Sequence, residues 1–218
     1  MNPENVLAHR GFWLDPSEKN SEAAFRRAIK WGFGIETDFR DLDGCLVIAH
    51  DIPLRGEVMN ADAFFALSNT RRDWRGMIAL NVKADGLQGL MHDALQRAGL
   101  PLSRTFAFDM AVPDALGYAR QGLTFYTRQS EYEKEPSLLD RAHGVWVDNF
   151  SGEFDQISHS SAWLSKGYKV AFVSPELHGR AHQDTWDKIG EAGLHRNNDF
   201  AICTDFPADA LTFFQGLK

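Results

Sequence analysis

Eight short apolar runs, separated by stretches of helical periodicity, constrain the fold of this chain more than any other feature. They cover residues 6–8, 34–38, 77–82, 105–109, 124–127, 145–148, 169–173 and 201–204. Runs this short suit strands, and helical segments between them argue for a parallel sheet with helical crossovers. Asn20 or Ser21 is placed to cap a helix whose Phe25, Ala28 and Ile29 share one face, and Gly32 ends it. Asn60 is placed to cap residues 61–67, while Pro113 and Pro207 suit the first turn of two later helices. The pattern predicts an α/β fold, a (β/α)8 TIM barrel forming one compact domain over residues 1–218. A doubly wound open sheet competes less well, because no Gly-rich nucleotide turn follows the first run.

Alternation within the runs separates their two faces. In residues 78–83, Ile78, Leu80 and Val82 occupy the side suited to covering helices, and Ala79, Asn81 and Lys83 the other. Ile35, Thr37 and Phe39 likewise alternate with Glu36 and Asp38, and Phe106 and Phe108 with Ala107 and Asp109. Polar residues gather toward the carboxyl ends of the runs, where barrel enzymes place their chemistry.

Glu36 and Asp38 are spaced i, i+2, which on a strand points both carboxylates to one face, roughly 7 Å apart. At an effective dielectric near 20 they repel by roughly 2 kcal/mol. A divalent cation with a preference for hard oxygen ligands, Mg²⁺ or Ca²⁺, removes that conflict. Around the pair lie His9-Arg10-Gly11, Asn20-Ser21, Asp43-Gly44, His50-Asp51, Asn81-Val82-Lys83 and Thr204-Asp205-x-Pro207. In this order the motifs resemble the glycerophosphodiester phosphodiesterases, across the whole chain and most densely in residues 7–83.

The resemblance implies a metal-dependent phosphodiesterase that cleaves a glycerophosphodiester-like small molecule into a phosphomonoester and an alcohol. His9 and His50 would be its acid–base pair, since histidine titrates near neutrality. Arg10 and Lys83 would hold the phosphate, the first as a fork and the second as a point charge. Glu36, Asp38 and the side-chain oxygen of Asn81 would hold the cation. Two positions depart from the family pattern: Asn81 stands where a Glu is usual, and Lys19 where the loop usually carries a Glu. Together they make the pocket about three charge units more positive, which implies a weaker cation site. They also imply a more anionic substrate, recruited by Lys19, or a barrel that only binds phosphate. Asp109, Arg128, Asp148, Glu176 and His178 lie at later strand ends; Asp148, Glu176 and His178 are candidates for substrate contact.

Composition narrows the remaining classes. With 23 basic against 30 acidic residues the formal charge is −7, so no basic nucleic-acid footprint is expected. No apolar run approaches the length of a membrane span, so stable membrane insertion is not expected. A sphingomyelinase D or phosphoinositide lyase would share the barrel and paired histidines but needs a membrane-facing apolar loop. None is evident, as Ala63-Phe64-Phe65 falls in a helical pattern. The opening Met-Asn-Pro-Glu-Asn lacks the basic-then-apolar pattern of a signal peptide, giving a cytoplasmic expectation. Cys45 and Cys203 make no metal or redox motif and read as reduced thiols.

Overall fold

The computed structural model describes residues 1–54 and 58–217. Eight strands run parallel: β1 (Val6–His9), β2 (Gly34–Leu42), β5 (Ile78–Val82), β6 (Thr105–Phe108), β7 (Tyr126–Gln129), β8 (Gly144–Val147), β9 (Lys169–Val173) and β10 (Phe200–Thr204). Each pairs with the next around the set, and β10 returns to β1 through Val6↔Ile202, Leu7↔Cys203 and Ala8↔Thr204. The step from β6 to β7 is the thinnest, carried by one parallel bridge between Ala107 and Phe125. The expected strands are all present, within two residues at each end except that β2 runs four residues past the expected 38, into the hairpin with β3.

Two short additions, β3 (Cys45–Ile48) and β4 (Met59–Asn60), extend the sheet beside β2 in antiparallel pairing. The β2–β3 hairpin turns at Asp43-Gly44, both at positive φ, as the tight two-residue turns of such hairpins require. Helices cover the barrel: α1 (Glu22–Trp31), α2 (Ala61–Leu67), α3 (Gln88–Ala98), α4 (Val112–Arg120), α5 (Gln156–Ser165), α6 (Gln183–Glu191) and α7 (Pro207–Gly216). The regular eightfold alternation fails at one place, because the connection from β7 to β8 has no helix. None of these helices is long and apolar enough to cross a membrane.

Local chemistry explains the helix ends. Ser21 caps α1 by accepting from the Ala24 amide, and Gly32 closes it in the left-handed region at φ 84°. Asn60 caps α2 through the Asp62 amide, and Pro113 and Pro207 occupy first turns.

Two apolar layers result. The outer one packs Phe25, Phe39, Phe64 and Phe65 between α1, α2 and the sheet. The inner one fills the barrel unevenly. Four aromatic rings enter from β6, β7 and β8, with Phe106 stacked on Tyr126 and Phe108 on Trp146, each pair at 3.8 Å. Opposite them stand smaller residues, including Ala79, Ala171 and Cys203. On β6 the large residues therefore face the interior and Ala107 faces the helices, the reverse of the β5 pattern. Cys203 lies in this inner layer and Cys45 is exposed, both as free thiols.

Candidate functional site

The His-Arg-Gly turn follows directly from the end of β1. Arg10 and Gly11 both have positive φ, and Gly11 lies so close to α1 that a Cβ there would sit 2.8 Å from the Ala24 side chain. Glycine is required here on both counts. The turn leaves His9 facing the barrel mouth and brings the Arg10 amide 3.2 Å from Glu36 Oε2.

His9 is held from one side. Its Nδ1 lies 2.6 Å from Asp205 Oδ1, just beyond the end of β10, and its Nε2 is 3.9 Å from Glu36 Oε2. With the proton on Nδ1, the ring donates to Asp205 and keeps Nε2 free toward the mouth. Lys19 approaches the other Asp205 oxygen at 3.5 Å and lies 4.5 Å over the Trp13 ring. Burial alone would raise the Asp205 pKa, but the His9 hydrogen bond and the charges of His9 and Lys19 hold it below the usual carboxylate value.

Glu36 and Asp38 are buried on adjacent inward positions of β2. Burial and the charge of Asp38 push the Glu36 pKa up, against the pull of His9, Asn81 and Lys83. Asp38 is more fully compensated: Arg10 Nε lies 3.0 Å from Oδ2, Asn20 donates to the same oxygen at 2.9 Å, and Lys83 Nζ lies 3.5 Å from Oδ1. Asn81 is the register partner of Asp38 on β5 and donates its amide to Glu36 Oε1 at 3.1 Å.

A divalent cation needs several hard oxygen ligands around one point. Among the described residues, no group of three or more His, Cys, Asp or Glu side chains converges as a metal centre. Beside Glu36 and Asp38 the third oxygen is the amide of Asn81. Two buried oxygens nevertheless lack a hydrogen-bond partner: Asn81 Oδ1, and Asp38 Oδ1, which has only the longer ion pair with Lys83. Orphaned acceptors of this kind cost roughly 1–3 kcal/mol each, and a hard cation would satisfy them. Arg10 Nε is also buried and, although 3.0 Å from Asp38 Oδ2, has no aligned acceptor.

The sequence matches no protein-family model and no curated protein. Solved structures do match. One from Galdieria sulphuraria, provisionally described as a glycerophosphodiester phosphodiesterase, aligns at TM-score 0.73 and 17% identity over 97% of this chain and 98% of its own. A glycerophosphodiester phosphodiesterase from Agrobacterium tumefaciens aligns at 0.65 and 17% over 96% and 98%. A glycerophosphoryl diester phosphodiesterase from Parabacteroides distasonis aligns at 0.69 and 11% over 97% and 86%. This chain shares their fold. The agreement covers 96–97% of this chain.

His50 occupies a different setting from His9. It follows β3 where the Ala49 amide donates to the Asp38 carbonyl, so its backbone runs beside the carboxylate strand. Its ring is 45% exposed and paired with Asp51, which is 95% exposed. The far side of the mouth holds the other candidates. His178 Nε2 lies 2.7 Å from Asp148 Oδ1, Phe150 packs against His178, and Arg128 bridges Asp109 at 2.9 Å and Glu133. Burial raises the Asp109 pKa despite Arg128 and Lys83. Glu176, expected to meet substrate, instead turns inward, is 8% exposed, and has both oxygens engaged by the chain itself.

Two residues of this constellation carry roles that the sequence reading left unassigned. Asp205 stands in the Thr204-Asp205-x-Pro207 motif, but its pairing with His9 spans 196 positions and has no local signature. Asn20 is no helix cap: it is at positive φ, donates to Asp38, and accepts from the Thr37 hydroxyl at 2.8 Å.

Proposed function

We propose that this chain is a divalent-cation-assisted phosphodiesterase that cleaves a glycerophosphodiester to a phosphomonoester and an alcohol. The observation that carries the reading is His9, fixed by Asp205 beside the buried Glu36–Asp38 pair, with Asp38 Oδ1 and the neighbouring Asn81 Oδ1 unsatisfied. The fold shared with the phosphodiesterase structures supports it.

Glu36, Asp38 and Asn81 would hold the cation, Mg²⁺ or Ca²⁺ by the hardness of the donors. When bound, it would supply positive charge against the phosphoryl oxygens. Arg10 and Lys83 give the same oxygens two further cationic contacts, matching the charge that develops during in-line displacement. A new P–O bond forms to the attacking oxygen, from water or a neighbouring substrate hydroxyl, as the P–O bond to the leaving alcohol breaks. One histidine takes the proton from the attacking oxygen, and the other delivers one to the leaving alkoxide. His9 is oriented for either task, because Asp205 leaves its Nε2 free. His50 is the proposed partner, from the loop that follows β3 beside Asp38.

A second reading concerns where the substrate resides. Contrary to the expectation of no apolar loop, Leu14 is 70% and Ile52 82% exposed, with Leu54 and Tyr132 also exposed, all in loops following strands. Apolar tips around a phosphate-binding mouth fit a substrate presented at a lipid surface, as in the lyase-like alternative.

The test is a panel of soluble glycerophosphodiesters and lysophospholipid micelles, with Mg²⁺, Ca²⁺ or Mn²⁺, scored for released phosphomonoester and alcohol. Cation-dependent turnover of a soluble diester is expected. Turnover only with micelles favours the interfacial reading. Phosphate binding without any turnover contradicts both and leaves a binding protein.

A further inference from the structure

Glu176 lies in a single 3₁₀ turn, Pro175–His178, immediately after β9. Among the described residues its carboxylate meets no Lys or Arg at ion-pair distance, and His182 Nδ1 is 3.9 Å away. It is surrounded by donors instead. The buried Trp186 indole donates to Ser174 Oγ at 2.9 Å, which leaves the Ser174 hydroxyl proton to donate to Glu176 Oε2. The Phe206 amide donates to Thr204 Oγ1 at 3.0 Å, which leaves the Thr204 hydroxyl proton to donate to Glu176 Oε1. The Asp205 amide donates to the same oxygen at 3.2 Å. Every proton in this network is directed, and every path ends on Glu176.

The segment so anchored is Thr204-Asp205-Phe206, whose middle side chain accepts from His9. We infer that Glu176 is a positioning residue: it fixes the Asp205 backbone, and through Asp205 the tautomer and orientation of His9. This rests on the role proposed for His9 but adds a residue two steps removed from it. No freedom is left for Glu176 to contact substrate, which separates it from its turn neighbour His178.

Glutamine at 176 keeps the shape but removes the charge and one acceptor: with its oxygen on Thr204 and the Asp205 amide, its NH₂ meets Ser174 Oγ, whose own proton must turn away and lose its acceptor. The test compares the parent with Glu176→Gln, Thr204→Val and Thr204→Ser, using ¹⁵N long-range NMR of His9 and steady-state kinetics on the best diester found. In the parent His9 should carry its proton on Nδ1. In Glu176→Gln, the Nδ1–H form should give way to a mixture with Nε2–H, and kcat should fall about 10–100-fold with KM nearly unchanged. Thr204→Val should move both readouts in the same direction by less, and Thr204→Ser, which keeps the hydroxyl, should restore the parental tautomer. A folded Glu176→Gln or Thr204→Val with His9 still fully Nδ1-protonated overturns the inference. If Glu176→Gln fails to fold, Thr204→Val decides. The tautomer is read without substrate, so the inference stands or falls separately from the phosphodiesterase reading.

Discussion

The two halves of the barrel mouth are built from different material. On the side of β1, β2, β5 and β10, charged and polar groups from separate strands bond to one another: His9 to Asp205, Arg10 and Lys83 to Asp38, Asn81 to Glu36. On the side of β6 to β9, stacked aromatic rings form the floor. Above that floor stand Arg128 with its acidic partners, the His178–Asp148 pair, and the exposed Tyr132 against Phe150. The helixless β7–β8 connection also belongs to this half. A half whose charges are fixed by one another is suited to chemistry, which demands placement within a fraction of an ångström. A half of loops and rings is suited to selecting what arrives, which tolerates variation.

That division is easiest to break at the histidines. His9→Ala should lower turnover by roughly 10²–10⁴-fold, the usual contribution of an acid–base group, with little change in cation affinity. His50→Ala should do the same if it is the partner. Full turnover in either variant removes that residue from the pair. His178→Ala, in the other half, should change KM several-fold and leave kcat nearly intact; a collapse of kcat would move the chemistry across the mouth. Asn81→Asp should tighten cation binding, measured calorimetrically, by about tenfold through a restored charged donor. Unchanged affinity would place the cation elsewhere.

The smallest effects are in stability, and here two carboxylates of the same half should differ in sign. The Glu36 pKa is raised in the fold by burial and by Asp38, so the protonated form favours the native state. Its contribution is present at low pH and lost as pH rises through the raised value. The Asp205 pKa is lowered despite burial, by His9 and Lys19, so its contribution is present above the ordinary carboxylate value and lost as pH falls through the lowered one. At neutral pH without added cation, Glu36→Gln should therefore raise the melting temperature by about 2–4 °C if roughly 1 kcal/mol is relieved. Asp205→Asn should lower it. Melting curves between about pH 2 and 7 check both signs. A fall for Glu36→Gln would mean that its carboxylate is better paired than its burial implies.

The sequence is legible wherever a residue's role is set by its neighbours in the chain. The eight strands follow from alternation, and the caps at Ser21 and Asn60 and the turn at Asp43-Gly44 follow from local hydrogen bonding and φ. The carboxylate pair was visible because i, i+2 on a strand is a local statement. Partnerships that cross the barrel left no such trace. Asp205 meets His9 only because β10 closes against β1, and Glu176 looks like a loop carboxylate until Thr204 and Ser174 enclose it. The inward turn of Phe106 and Phe108 was equally hidden, because a large apolar side chain satisfies either layer of a barrel. The missing helix after β7 follows from Ser130–His143 packing as turns, with Ser130, Thr127 and Gln129 bonding the loop backbone.

The central claim is that one half of the mouth performs cation-assisted phosphodiester cleavage through His9. Phosphorus NMR of purified protein with a soluble glycerophosphodiester tests it most directly, before and after exhaustive chelation and with His9→Ala alongside. The account predicts a phosphomonoester resonance that grows in the parent, stops on chelation, resumes with Mg²⁺ or Ca²⁺, and is nearly absent in His9→Ala. Turnover that survives chelation, or that His9→Ala retains in full, would contradict it.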